Sequence, residues 1–193
     1  LVSEIHKVTS FTAAASFKHT APAGVGISLN KFTTEEVEMF GIGKFSLGLS
    51  ASGRAYTRAR NCDPLSSFGD FVAISGIVDV QCAKLIKREV CDGIIAFGYL
   101  DEALEILKEK KNGNFIILKG NNNITYNNIE FKEVGGICLS QRANDEVFNS
   151  NYIKNVVTEN NFIPDEKILD LTIANITLKY TPSNSISLAY DGM

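Results

Sequence analysis

The chain is organised around Ala13-Ala14-Ala15-Ser16-Phe17-Lys18-His19-Thr20-Ala21-Pro22-Ala23-Gly24. Its first part, residues 13–17, is predicted to be a buried strand, because small residues allow neighbouring backbones to pack closely. Its last part, residues 20–24, contains proline and glycine and is predicted to be the loop in which this strand ends.

Lys18 and His19 stand where this strand gives way to the loop. They would point to opposite faces of a regular strand, but they can share a site at a break. A histidine base beside a fixed positive charge suits acyl-type transfer, in which a nucleophile loses a proton while an oxyanion develops. The alternative is a solvated or locally hydrogen-bonded pair of side chains.

Four blocks of sequence extend the pattern over nearly the whole chain: Ser16-Phe17-Lys18-His19-Thr20-Ala21-Pro22-Ala23-Gly24, then Ala55-Tyr56-Thr57-Arg58-Ala59-Arg60 with Ser66-Ser67-Phe68-Gly69-Asp70-Phe71, then Arg88-Glu89-Val90-Cys91-Asp92-Gly93-Ile94-Ile95-Ala96, and finally Lys179-Tyr180-Thr181-Pro182-Ser183-Asn184-Ser185. In this order they resemble the AICAR transformylase family, the formyltransferase part of a bifunctional purine-biosynthesis enzyme.

Composition is that of a protein with a sizeable core, since 45% of its 193 residues are hydrophobic. The net charge of −3 and the lack of a basic run argue against nucleic acid as the main partner. No segment reaches the roughly 18 apolar residues that a membrane span needs. Four cysteines without a C-x-x-C pair are predicted to be reduced thiols of a cytosolic protein: Cys62, Cys82, Cys91 and Cys138.

Strand and helix patterns alternate through the first two thirds of the chain, which predicts an α/β fold with a parallel or mixed sheet. Strands are predicted at residues 71–77, 93–97, 114–119 and 185–189, and a hairpin or edge strand at 124–133. Helical segments are predicted between residues 33 and 60, after the N-cap Asp79, at 100–111 and from Pro164 onwards. Asp191-Gly192 is a hairpin turn signal.

The resemblance implies a cytidine-deaminase-like three-layer fold without zinc. It divides the chain into a first α/β unit at residues 1–133, a small helical insert at 134–163 and the start of a second unit at 164–193. Because the chain starts at Leu1 and ends abruptly at Asp191-Gly192-Met193, we expect a fragment of a longer enzyme, with little or no turnover by itself.

For the site, the resemblance implies formyl transfer from 10-formyltetrahydrofolate to the 5-amino group of AICAR, which gives FAICAR on the route to IMP. His19 would be the base and Lys18 the cation that stabilises the oxyanion. The family's nucleotide contacts would fall on His19, Gly69, Asp92 and Asn184. The hydroxyl groups of Thr181, Ser183 and Ser185 could surround a monovalent cation, which the resemblance implies to be potassium. The full protein would work as a cytosolic homodimer and would carry IMP cyclohydrolase activity in another domain.

Local sequence leaves other interpretations open. Gly69, Asp92 and Asn184 could each be turn residues, and the hydroxyls after Tyr180 could bond within their own loop. A zinc nucleoside deaminase needs an H-x-E and a P-C-x-x-C, and neither occurs here. A non-catalytic nucleotide-binding or dimerisation module of the same fold is the remaining alternative.

Overall fold

A five-stranded mixed sheet forms the centre of the computed structural model, which describes residues 1–45, 48–121 and 128–193. The strand order is β2-β1-β3-β4-β5. The first strand is antiparallel to both of its neighbours, whereas the third, fourth and fifth run parallel. The bounds are β1 Ala13–Lys18, β2 Ala21–Ile27, β3 Asp70–Val78, β4 Cys91–Tyr99 and β5 Ile116–Lys119. The predicted α/β fold is therefore confirmed.

Helices cover both faces of the sheet. Alternation along β1 sends Ala14 into one buried apolar cluster, and Ala13 and Ala15 into another. The first cluster packs under α3, α4 and α5, and the second under α1 and α6. The bounds are α1 Val2–Thr9, α2 Thr34–Met39, α3 Ala51–Asn61, α4 Val80–Arg88, α5 Asp101–Lys108 and α6 Asp165–Lys179. Three layers result, as the resemblance implied.

Helix starts follow the predicted caps. Thr33 and Glu36 form a reciprocal capping box at the start of α2. The Asp79 carboxylate accepts the backbone N–H of Cys82 at 2.8 Å and caps α4. Gly41 and Gly48 adopt positive φ between α2 and α3, which explains why the helical pattern from residue 33 to 60 is interrupted.

The loop predicted at residues 20–24 is wrong, because β2 begins at Ala21. Only His19 and Thr20 form the turn, and Lys18 pairs with Ala21 across it. Pro22 fits here because β2 is an edge strand of the sheet. Gly24 is needed because α3 crosses β2 closely: a Cβ there would lie 2.2 Å from the Ala59 carbonyl oxygen.

The C-terminal third differs more from the prediction. A two-stranded hairpin is formed by β6, Ile129–Val134, and β7, Ile137–Arg142. It overlaps the hairpin or edge strand predicted at 124–133, of which residues 124–127 lie outside the described residues. The insert predicted to be helical, 134–163, contains β7 and one 3-10 turn, Ser150–Ile153, but no α-helix.

The strand predicted at residues 185–189 is also wrong, since this stretch joins neither sheet. Ile186 and Leu188 are about nine-tenths exposed, so the alternating pattern has no face to bury. The predicted turn at Asp191-Gly192 is present. Its backbone N–H groups bond to the Asp170 carboxylate of α6, and the Gly192 carbonyl accepts the Ile27 N–H of β2 at 2.9 Å.

Candidate functional site

The predicted site residues Lys18, Gly69 and Asp92 come from three sequence blocks and meet at one end of the sheet, which we call the Lys18 end. Because β1 is antiparallel to β3, its last residues lie beside the first residues of β3. Because β3 and β4 are parallel, their first residues lie side by side. The end of β1 therefore meets the starts of β3 and β4.

Lys18 is fixed by the turn that precedes β3. Its Nζ donates to the Phe68 carbonyl at 2.7 Å and to the Gly69 carbonyl at 3.2 Å. An ammonium group has three N–H donors, so one stays available for a ligand. The half-buried Lys18 is thus held as a positive charge at a defined position.

Gly69 is required for two physical reasons. Its φ is +74°, in the left-handed region that L residues rarely adopt. A Cβ at this position would also lie 3.1 Å from the Lys18 Nζ. The Gly69 N–H donates to the Val90 carbonyl at 2.9 Å, which ties this turn to the residues just before β4.

Asp92 occupies a β-bulge near the start of β4. Residues Asp70 and Phe71 of β3 pair with Cys91 and Gly93, so Asp92 is the extra residue on its strand. Bulges of this kind redirect a side chain, and the Asp92 carboxylate is indeed exposed between two buried neighbours.

Two lysines act on Asp92. The Lys111 ammonium hydrogen-bonds to Oδ1 of Asp92, and this bond holds the pKa of the carboxyl group below its usual range. The charge of Lys18 lowers the pKa in the same direction. Sequence reasoning missed Lys111, although it did predict the helix end at Asn112-Gly113. The only signal in the sequence was the run of lysines before that end. In the structure, Lys111 and Asn112 both have positive φ, and the backbone bends there.

His19 lies at the tip of the turn between β1 and β2, with a φ of +54°. Its side chain is exposed. Within the described part of the chain, the imidazole makes no hydrogen bond or ion pair, so its ring nitrogens are not held by a protein partner there. His19 thus follows Lys18 directly at the end of β1, and a shared site for the two side chains stays a prediction.

Beneath the Lys18 end lies a buried polar cluster that the sequence did not single out. The Ser16 hydroxyl is 2.8 Å from the Ser67 hydroxyl and 2.5 Å from Oδ2 of Asp70. The Arg60 guanidinium of α3 lies 4.0 Å from Oδ1 of Asp70 and 3.6 Å from Glu89. Burial raises the pKa of Asp70, while the Ser16 hydrogen bond and the Arg60 charge oppose that rise.

Asn184 is not brought to the Lys18 end by any hydrogen bond or ion pair of the described residues. Its side chain is exposed. The segment does lie close by, since Thr181 and Ile186 line a groove of about 170 Å³ together with Pro22 of β2. Asn184 therefore lies in a segment that runs beside the β1–β2 hairpin.

The hydroxyls proposed for a monovalent cation do not converge. Thr181 Oγ1 donates to the Thr177 carbonyl at 2.8 Å, and Ser185 Oγ donates to the Pro182 carbonyl. This is the local bonding that the sequence left open as an alternative for the hydroxyls of Thr181 and Ser185. In residues 1–45, 48–121 and 128–193, no three His, Cys, Asp or Glu side chains are grouped to hold a metal ion.

Comparison with known proteins gives one family and a set of relatives. The family described as AICARFT/IMPCHase bienzyme matches residues 2–193. A bifunctional purine biosynthesis protein PurH from Thermoanaerobacter sp. (strain X514) is 34% identical over 181 residues, which is 93% of this chain. Proteins of the same name are 29% identical in Ruminiclostridium cellulolyticum, over 98% of this chain, and 30% identical in Clostridium botulinum (strain Kyoto / Type A2), over 94%. The chain spans 30 to 32% of the length of these relatives.

Among the described residues, no helix is both long enough and apolar enough to span a membrane.

Proposed function

The chain belongs to the AICARFT/IMPCHase bienzyme family, and from this premise we propose that it forms part of a formyltransferase site. The site transfers a formyl group from 10-formyltetrahydrofolate to the 5-amino group of AICAR, and the product is FAICAR, a precursor of IMP. The observation that carries the proposal is the convergence at the Lys18 end. Residues of three family blocks meet there, and the Lys18 ammonium contacts the Gly69 carbonyl.

The acceptor amine is conjugated with the imidazole ring and its carboxamide, so it is a weak nucleophile. It gains reactivity when a base removes its proton as it attacks the formyl carbon. His19 takes this role, because histidine accepts protons near neutral pH and this ring is exposed beside Lys18.

Attack on the formyl carbon forms a C–N bond and a tetrahedral oxyanion. Lys18 stabilises this oxyanion with the N–H that the turn carbonyls leave available. Collapse of the intermediate breaks the bond to N10 of the folate, and the proton held by His19 passes to that nitrogen. The amine has then exchanged one proton for the formyl group, and the folate has gained that proton.

The nucleotide is held by groups around this centre. The Gly69 backbone contacts it without a side chain in the way. The ionised Asp92 carboxylate accepts hydrogen bonds from hydroxyl or amino donors. Asn184 supplies a further contact through its paired amide donor and acceptor. No step of this reaction is routed through a potassium ion.

In the full-length protein we propose a cytosolic homodimer that also carries IMP cyclohydrolase activity in residues other than these. AICAR and the folate are the small-molecule partners. The second activity is supported by the family's description as an AICARFT/IMPCHase bienzyme and by the relatives' names as bifunctional purine biosynthesis proteins. The homodimer and the cytosolic location rest on the family resemblance alone.

A formyl-transfer assay of the natural full-length protein tests this proposal, with Lys18→Met as the variant. Removing the oxyanion partner should lower kcat by about 100-fold or more. Lys108→Met is the matched control, because Lys108 is an exposed lysine paired with Glu105 on α5. Full activity in Lys18→Met, or no formyl transfer by the wild type, would refute the proposed role. Wild-type nucleotide binding without transfer would instead favour the non-catalytic module.

A further inference from the structure

The turn that carries Gly69 is anchored from inside the protein by a hydrogen-bonded cluster. Ser67 and Asp70 stand at the two ends of this turn, and the Asp70 N–H bonds to the Ser67 carbonyl at 3.2 Å. Their side chains are joined through the Ser16 hydroxyl, at 2.8 Å from Ser67 and 2.5 Å from Asp70. All three residues are at most 1% exposed. Ser16 therefore closes the turn from below.

The same strand holds the turn from outside. Lys18 lies two residues after Ser16 on β1 and donates to the carbonyls of Phe68 and Gly69, the two central residues of the turn. The position of the Lys18 ammonium therefore depends on the turn. The geometry of this turn depends on the buried hydrogen bonds of Ser16 to Ser67 and Asp70 at its two ends.

This cluster is a poor device for stability alone. Oδ1 of Asp70, Nη1 of Arg60 and the Tyr56 hydroxyl are buried without a hydrogen-bond partner among the described residues. Oδ1 of Asp70 and Nη1 of Arg60 face each other at 4.0 Å, which is an ion pair but too long for a hydrogen bond. Burying polar atoms without hydrogen bonds is destabilising, and an apolar filling of the same space would avoid that loss. A buried polar group that fixes a local geometry has a reason to be retained, and here the fixed geometry is that of Gly69 and Lys18.

We propose that Ser16 and Asp70 are positioning residues of the nucleotide site, which set the Gly69 backbone and the Lys18 ammonium before any ligand binds. The ligand named here, AICAR, rests on the proposed function. The preset turn does not, because all of its bonds are made within this chain.

Ser16→Ala tests this proposal against Ser75→Ala as the matched control. Ser75 is also a buried serine, and its hydroxyl accepts a hydrogen bond from the Ala13 N–H at 2.8 Å. It lies towards the other end of the same strands. The first readout is hydrogen exchange of the Gly69 amide in the unliganded protein, which bonds to the Val90 carbonyl. We expect exchange at Gly69 to rise about tenfold more in Ser16→Ala than in Ser75→Ala.

The second readout is AICAR affinity, followed by calorimetry. Ser16→Ala should weaken binding about tenfold and Ser75→Ala should leave it unchanged, even where the two lose similar stability. Asp70→Asn is the conservative variant, since its amide oxygen still accepts the Ser16 hydroxyl, and it should stay closer to wild type than Asp70→Ala. In the natural full-length protein, Asp70→Ala should raise the KM for AICAR while the KM for the folate stays unchanged.

The outcomes separate the two proposals. If the wild type binds AICAR and Ser16→Ala matches Ser75→Ala in both readouts, the positioning role is overturned. If the wild type binds no AICAR, the proposed function falls, and the Gly69 exchange decides the positioning role alone. If Ser16→Ala does not fold, Ser67→Ala replaces it, since it removes one bond of the cluster and leaves the Ser16–Asp70 bond.

Discussion

Two regions of the molecule carry the residues assigned to the nucleotide: the Lys18 end of the sheet and the segment around Asn184. At the Lys18 end, a lysine, a glycine and an aspartate from separate blocks are held by sheet register and by buried bonds beneath them. In the segment 181–186 around Asn184, the side-chain bonds seen among the described residues are local, from the hydroxyls of Thr181 and Ser185 to nearby carbonyls.

The Lys18 end is therefore preset before binding in this account, whereas the segment around Asn184 must be ordered by a ligand or by further contacts. A preset group loses little conformational freedom on binding, whereas an exposed segment loses more. Substitutions at the Lys18 end should therefore have large effects on binding and chemistry, and substitutions in the Asn184 segment should have small ones.

The largest effect is expected for His19→Ala in the natural full-length protein. Loss of the base should lower kcat for formyl transfer by about 100-fold or more, with only a small change in the KM for AICAR. Steady-state kinetics provide the measurement. His6→Ala is the control, because His6 is the other histidine of the chain. It lies on α1, and its ring bonds to the Phe11 carbonyl. A wild-type kcat in His19→Ala would remove the proposed base.

Gly69→Ala should weaken AICAR binding about 30-fold, because the new methyl group displaces Lys18. The positive φ adds about 1–2 kcal/mol of strain. Gly41→Ala is a close control: its φ is +60°, and a Cβ there meets nothing within 4 Å. The temperature of thermal unfolding should therefore drop by a similar amount in both variants. Calorimetry should find weaker AICAR binding in Gly69→Ala alone. Equal affinities would show that strain, and not the contact with Lys18, is what Gly69 avoids.

Asp92→Asn should weaken AICAR binding about tenfold, as expected when a charged acceptor is lost. Lys111 and Lys18 lower the pKa of Asp92. Its carboxylate is therefore ionised at every pH above the usual pKa of an aspartate, and the charge is lost only as the pH falls through the lowered pKa. The ratio of wild-type to variant affinity should therefore be the same at pH 7.0 and about pH 4, where an aspartate of ordinary pKa is already partly protonated.

Glu109→Gln is the control for Asp92→Asn. Glu109 is also an exposed carboxylate paired with a lysine, Lys87, and its pKa is lowered for the same reason. It should bind AICAR like wild type at both pH values. An affinity ratio for Asp92→Asn that falls to one at the lower pH would mean that Asp92 is protonated there, against the observed ion pair.

Asn184→Ala should have the smallest effect, a loss of AICAR affinity below about threefold, because the segment is not anchored to the Lys18 end. Calorimetry on the 193-residue chain measures it. A tenfold loss would mean that the segment closes onto the nucleotide and that the contrast between the two regions disappears on binding.

The fold was predictable where burial is written into the sequence. The apolar runs of β3 and β4 and the cap at Asp79 were all found, because each pattern has one structural solution. The strand β2 was missed, since Pro22 and Gly24 are locally typical of a loop and become a strand only because α3 packs on them. Residues 185–189 alternate as a strand would, but no strand of the described residues lies beside them to form a sheet.

Candidate site residues could be proposed from the sequence, but their geometry could not be predicted from it. The Lys18–His19 pair could be read from local sequence, whereas the meeting of Lys18, Gly69 and Asp92 depends on a strand order that spacing does not specify. Lys111 was missed because its role depends on a backbone bend that places it against Asp92. The buried Ser16–Asp70 bond joins residues 54 positions apart and had no local signal.

The central claim is that the Lys18 end is the nucleotide half-site, and a ¹⁵N NMR titration of the 193-residue chain with AICAR tests it most directly. The account predicts that the largest amide shifts appear at Lys18, His19, Gly69 and Asp92, with smaller shifts at Asn184. It would be contradicted if AICAR at saturating concentration moved no resonance, or moved chiefly those lining the groove under Thr181 and Ile186.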